Sequence, residues 1–242
     1  MSLTLPKGLL LDLDDTILAF DAVADSSWIE TLNTYTKSLH PVDAQALHQS
    51  IKATAAHFWG DLDRHRIGRL NLKDTRKQIV FDAMKALNLD DAGLASHIAD
   101  TYNIIRTQQI HPVKGAIETL QYLREREIPL VLVTNGDAKG QREKIERFHL
   151  QQFFTAILIE GECGFGKPDE RVYLRALDEL GLPPEDVWMI GDNLEWEIVV
   201  PQQLGIRGIW VDYRGRGLPV DCATTPYRTI STLSDILEPS WC

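Results

Sequence analysis

Asp12, Asp14 and Asp15 crowd the end of a short apolar run, Leu9 to Leu11, and Thr16 closes the cluster. A run this short, bounded by turn-forming residues, reads as a buried strand with a carboxylate-rich end. Carboxylates two residues apart repel each other and are costly in a low-dielectric site. A hard cation such as Mg²⁺, with its demand for oxygen ligands, relieves that conflict. A carboxylate can also act as a nucleophile toward phosphorus, giving an acyl-phosphate that water then hydrolyses. Alone, the stretch reads equally well as a strand end with acidic turn residues.

Three further places carry chemistry. Thr134-Asn135-Gly136 follows the apolar run Leu130 to Val133 and offers hydroxyl and amide donors, although it is also good turn chemistry. A helix beginning just after Gly136 aims its positive end the same way. Lys167 ends Gly161-Glu162-Cys163-Gly164-Phe165-Gly166-Lys167, the spacing of a nucleotide-binding P-loop. The next residue of such a loop must be Ser or Thr, and here it is Pro168, so the P-loop is rejected. Pro168 suits the first turn of a helix instead. Gly191-Asp192, with Glu197 close behind, follows the apolar run Val187 to Ile190.

The elements that must position these residues follow from periodicity. From His111 onward helices and strands alternate, with strands at Leu130 to Val133, Ala156 to Ile159, Val187 to Ile190 and Ile206 to Val211. This predicts a doubly wound parallel α/β sheet. Ligands bind beyond the carboxyl ends of such strands, where Asp12, Thr134 and Asp192 all fall. Between the first strand and this region no strand is predicted. Trp28, Ile29, Leu32, Tyr35 and Leu39 recur at helical spacing. Leu72, Ile79, Val80, Ala83, Met84 and Leu87 do so again, as do Leu94, Ile98, Tyr102 and Ile105. The chain is expected to form an α/β core from residues 1–19 and 110–242 with a smaller all-helical insert at 20–109. The tail after Tyr213 is rich in loop formers and predicts little.

These stretches occur in the order of the four motifs of the haloacid dehalogenase-like hydrolases, which the chain resembles from residue 12 to residue 197. The resemblance implies that Asp12 is the nucleophile and Asp14 the general acid and base. It implies that Thr134 and Asn135 hold the phosphoryl oxygens, and that Lys167 pairs with Asp12 and the phosphoryl group. Mg²⁺ is implied at Asp12, Asp192 and the backbone carbonyl of Asp14. Glu197 stands where the family more often has Asp, which leaves it open to ligate directly, ligate through water, or orient Lys167. True dehalogenases of the family lack an acid at the place of Asp14, so phosphate chemistry is favoured over halide displacement. The helical insert then corresponds to a cap that closes over the site. His57, Trp59, Arg64, His65, Arg66 and Arg69 cluster between two of its helices. A solvated loop accounts for them, and Arg64, Arg66 and Arg69 are the candidates for reading a polar leaving group.

Composition narrows the partners. The 242 residues carry a net charge of −10, which argues against nucleic acid, because phosphate-backbone binding needs clustered Lys and Arg. Cys163, Cys222 and Cys242 are widely spaced and odd in number, so free thiols in a reducing compartment are expected. No apolar run reaches membrane-spanning length and no signal-peptide pattern opens the chain, so a cytoplasmic protein is expected. The expected activity is Mg²⁺-dependent hydrolysis of a small phosphomonoester through an aspartyl-phosphate. Sugar phosphates, phospho-acids and nucleoside monophosphates are all candidates, and the sequence does not fix an oligomeric state. A phosphomutase using the same aspartate pair is the alternative. A dehalogenase, or a domain that only binds or accepts phosphate, ranks lower.

Overall fold

The computed structural model describes residues 5–220, 222 and 224–238. It divides into two compact units, Phe20–Ile110 and the remainder of the chain on either side of it. The first unit is helical: α1 (Ala24–Thr34), α2 (Thr36–Leu39), α3 (Ala44–Trp59), α4 (Leu62–Gly68), α5 (Leu72–Lys85) and α6 (Ala92–Gln109). Its apolar stripes meet in one core that includes Leu32, Leu47, Ile51, Val80, Met84 and Ile98. Trp28 of α1 stacks on Tyr102 of α6 with ring centroids 3.6 Å apart. Arg106 of α6 is buried and ties the start of the unit to its end, donating to Asp21 Oδ1 at 2.6 Å and lying over the Phe20 ring.

Two expectations for this region change. The segment from Asp61 to Arg69 is not a loop: Asp61 caps the helix α4 by accepting from the Arg64 N–H at 2.9 Å. Helix α3, whose Asp43 cap and buried Leu47 and Ile51 are visible in the sequence, is a further element the periodicity reading passed over.

The second unit carries the strands β1 (Gly8–Leu11), β2 (Leu18–Ala19), β3 (His111–Pro112), β4 (Leu130–Thr134), β5 (Ala156–Ile159), β6 (Val187–Gly191), β7 (Arg207–Val211) and β8 (Arg228–Ile230). Six form a sheet in the order β5-β4-β1-β6-β7-β8, every neighbouring pair parallel. Every residue of β1, β4 and β6 is buried, so both faces of the sheet are covered. That is why these strands read as unbroken apolar runs and not as alternating ones. The covering helices are α7 (Ala116–Glu125), α8 (Ala138–Arg147), α9 (Glu160–Cys163), α10 (Glu170–Leu180) and α11 (Val200–Gln203). Gly181 ends α10 at φ 63°, a left-handed conformation that favours glycine. Leu10, Val131, Val133 and Met189 meet Val172 and Tyr173 of α10 in one cluster.

The fold is the expected doubly wound α/β type, with details the sequence hides. The two-residue strands β2 and β3 pair antiparallel and bracket the helical unit. Pro168 does not open α10: it lies ahead of the Asp169 N-cap, after a cis peptide bond with Lys167. The tail contributes β8 and a capping box in which Thr232 and Asp235 reciprocate. Cys163 and Cys222 are free thiols, and Cys242 lies outside the described residues.

Candidate active site

The sheet register gathers the site. Leu11 lies beside Leu132 on one side and Ile190 on the other, so the next residues up, Asp12 and then Thr134 and Asp192, rise together from three adjacent strand ends. The Asp12 N–H donates to Ile190 O at 3.0 Å, fixing its backbone at that edge. Beyond it the strand stops. Asp15 takes a left-handed φ of 61°, and the Ile17 and Leu18 N–H groups both turn back to Leu13 O. Asp14 therefore sits on a tight loop beyond the strand.

Lys167 is the hub. Its Nζ lies 2.6 Å from Asp12 Oδ1 and 2.7 Å from Glu197 Oε1, and its side chain is 1% exposed. Burial disfavours the ammonium, but Asp12 and Glu197 outweigh it and hold the Lys167 pKa above the ordinary lysine value. Asp12 Oδ2 accepts from the Thr16 hydroxyl at 3.2 Å and is the less engaged of its two oxygens. Asn135 turns its amide to the Lys167 backbone, donating to its O at 2.6 Å and accepting from its N at 2.8 Å. Its side chain thus positions Lys167, where the sequence reading had it facing the phosphoryl group.

Glu197 is carried by a six-residue π-helical segment, Leu194–Val199, and its Oε2 accepts from the Asn193 N–H at 2.8 Å. Tyr173 braces this segment from α10, its hydroxyl donating to Trp196 O at 2.5 Å. Gly191 is required by close approach, since a Cβ there would overlap the Glu197 side chain and crowd Asp12.

Two residues the sequence reading missed hold Asp14. Lys144 Nζ lies 2.6 Å from both of its carboxylate oxygens. Gln141 Nε2 reaches Asp14 Oδ2 at 3.2 Å, Thr134 Oγ1 at 2.7 Å and Asn135 O at 2.6 Å. Glu160 was likewise missed: it is buried at the end of β5 and accepts from the Gly136 N–H at 3.0 Å. No periodicity marks such residues, because a polar side chain turned inward looks in sequence like one turned to water.

A sequence profile of haloacid dehalogenase-like hydrolases matches residues 6–205. The chain belongs to that family. Among relatives of this hydrolase is a phosphoserine phosphatase from Thermus thermophilus, 34% identical over 254 residues, covering 95% of this chain and 97% of the relative. A pyrimidine 5′-nucleotidase, PynA, from Streptococcus pneumoniae is 28% identical, covering 96% and 94%. An N-acylneuraminate-9-phosphatase from Rattus norvegicus is 35% identical over 61% of this chain and 59% of its own length. The fold matches the putative HAD-hydrolase YfnB from Bacillus subtilis with a TM-score of 0.73 at 20% identity, covering 96% of this chain and 97% of that one. The chain is a phosphoric monoester hydrolase of this family.

The charges of the hydrolase's site are unbalanced. Asp12, Asp192 and Glu197 face one buried ammonium. Burial, then Asp12 and Glu197, push the Asp192 carboxyl up to about 9. Burial raises Glu197 to about 7 against the pull of Lys167. Burial likewise raises Asp12, again opposed by Lys167. A small divalent cation is the group that fits such an oxygen-only, over-negative site. Among the described residues no three His, Cys, Asp or Glu side chains form a ready-made cage.

Arg64 and Arg66 lie exposed on α4. Arg69 follows it half-buried, with Nη1 3.5 Å from His65 Nδ1. His65 in turn meets the edge of Trp59. All belong to the helical unit, whereas every residue of the cluster above belongs to the α/β unit. Among the described residues no helix is long and apolar enough to cross a membrane.

Proposed function

We propose that the chain hydrolyses a small-molecule phosphomonoester through an aspartyl-phosphate formed on Asp12. The observation that carries this reading is the Lys167 ammonium wedged between Asp12 and Glu197 at the strand ends. It leaves one buried carboxylate oxygen aimed away from its partner and keeps a positive charge where phosphoryl oxygens gather. In the first step Asp12 Oδ2 bonds to phosphorus while the ester P–O bond breaks, and Asp14 gives its proton to the departing alcohol oxygen. In the second, Asp14 takes a proton from water as the water oxygen attacks the acyl-phosphate, freeing phosphate and Asp12. The Thr134 hydroxyl, with Gln141 behind it, steadies the phosphoryl oxygens. Asn135 contributes by fixing the Lys167 backbone. Asp12, Asp192 and the Asp14 carbonyl hold Mg²⁺, which when bound screens the charge shared by nucleophile and phosphoryl group.

The relatives covering nearly the whole chain act on phosphate esters of small polar alcohols, which supports the same substrate class here. The helical unit selects among such alcohols in this reading, with Arg64, Arg66 and Arg69 as its candidates. Retention of Asp14 disfavours dehalogenation, and nothing in the site favours a mutase.

Phosphate release from phosphoserine, sugar phosphates and nucleoside monophosphates, with Mg²⁺ or EDTA, tests the proposal. Turnover of at least one ester that EDTA abolishes and Mg²⁺ restores is expected. Undiminished turnover in EDTA removes the metal from the mechanism, and no release from any ester removes the function.

A further inference from the structure

Lys144 and Gln141 stand three residues apart on α8, the spacing that puts two side chains on one helical face. Both converge on Asp14, whose loop has no means of its own to orient a carboxylate. Lys144 meets its two oxygens at an equal 2.6 Å, which fixes the direction of the carboxyl group, and Gln141 meets one of them from a second side. Gln141 is 4% exposed and divides its amide among Asp14, the Thr134 hydroxyl and the Asn135 carbonyl. Thr134 ends β4 and α8 follows it directly, so one strand–helix unit carries the phosphoryl-binding hydroxyl and both partners of Asp14.

We propose that Lys144 and Gln141 are positioning residues that aim the Asp14 carboxyl at the ester oxygen, through α8, in register with the phosphoryl group held at Thr134. The proposal rests on the acid role of Asp14 given above. For that step Asp14 carries a proton on one carboxyl oxygen while Lys144 stays on the other; the proton passes to the ester oxygen as the P–O bond breaks and the Asp12–phosphorus bond forms, and the attacking water returns it in the second step. Misaiming Asp14 therefore harms departure of an alkoxide, which needs the proton, more than departure of a nitrophenolate, which does not.

The test compares kcat/KM, which reports formation of the aspartyl-phosphate and not its later hydrolysis, for the fastest alkyl phosphate in the panel and for p-nitrophenyl phosphate, in full-length protein with saturating Mg²⁺. Lys144→Met is expected to lose about tenfold or more on the alkyl ester relative to the aryl ester. Lys144→Arg, which keeps a donor for Asp14, recovers part of that difference. Should Lys144→Met fail to fold, Lys144→Gln takes its place in the same comparison. In an Asp14→Asn background the Lys144 change should add no further discrimination, because it acts only through Asp14. Equal losses on both esters, or additive losses in the double variant, overturn the positioning role. The two readings fail separately. If Asp14→Asn discriminates between the esters and Lys144→Met does not, the positioning role alone falls. If Asp14→Asn itself does not discriminate, the acid assignment falls and the positioning role with it.

Discussion

Two of the buried carboxylates, Asp12 and Glu197, are paired with Lys167. Asp12→Asn keeps the shape but offers an amide as nucleophile, so turnover should fall at least about a thousandfold while the fold persists. Rates near wild type, beside an unchanged circular dichroism spectrum, would refute the nucleophile. Glu197 forms an ion pair with the Lys167 ammonium through Oε1, at 2.7 Å, and accepts from the Asn193 N–H with Oε2. In Glu197→Gln the amide nitrogen must face one of those two donors, and the misplacement should lower kcat about ten- to hundredfold. An unchanged kcat would mean Lys167 needs no second carboxylate. At this scale the pairing of Lys167 with Asp12 was legible only through the order of the four stretches, since Asp at a strand end is also ordinary turn chemistry. The contact of Glu197 with Lys167 was one of three options the sequence left open. Gln141, Lys144 and Glu160 were not legible: Gln141 and Lys144 meet Asp14 from 127 and 130 positions away, and Glu160 meets Gly136 from 24 away.

The elements explain why some positions spoke and others did not. β1, β4 and β6 are buried on both faces, so the sequence had to make them continuous apolar runs, and their ends mark the site without ambiguity. The pairing of β2 with β3 involves two residues on each side and leaves no periodic trace. Helix α4 is short, exposes Leu62 and Ile67, and mixes charge with apolar residues, so its pattern resembles a loop. The π-helical segment 194–199 is a second such case: its irregular turn places Glu197, and the Tyr173 hydroxyl on Trp196 O ties it to α10. Burial and the nearby Glu197 keep that phenol protonated, so it serves as a donor and not as an acid. Tyr173→Phe should then cost about 1 kcal/mol. This would appear as a melting temperature about 2–4 °C lower, with kcat reduced as Glu197 loosens. An unchanged melting temperature and kcat together would show the segment holds itself.

A protein of net charge −10 attracts divalent cations everywhere, so a specific ion must be separated from a diffuse one. The ionisation of the site supplies the means. Asp192 lies near 9 and Glu197 near 7 without a cation, whereas the same carboxyls in the unfolded chain titrate near about 4. Raised carboxyl values mean that the native state holds protons the unfolded state has released. Stability of the metal-free protein should therefore fall as pH rises from about 4 toward 9. A bound Mg²⁺ replaces those protons, so its stabilisation should be larger at pH 8 than at pH 6. At a hundredfold excess over Kd the gain is about 2.7 kcal/mol. For a unit of this size that corresponds to roughly 5–10 °C. The α/β and helical units have separate cores, and the site residues all belong to the first. Scanning calorimetry should thus show Mg²⁺ raising the transition of the α/β unit, and Asp192→Asn should remove the rise while leaving the metal-free protein at least as stable at pH 8. A rise that survives Asp192→Asn, or one no larger at pH 8 than at pH 6, would put the ion on the acidic surface and away from Asp12.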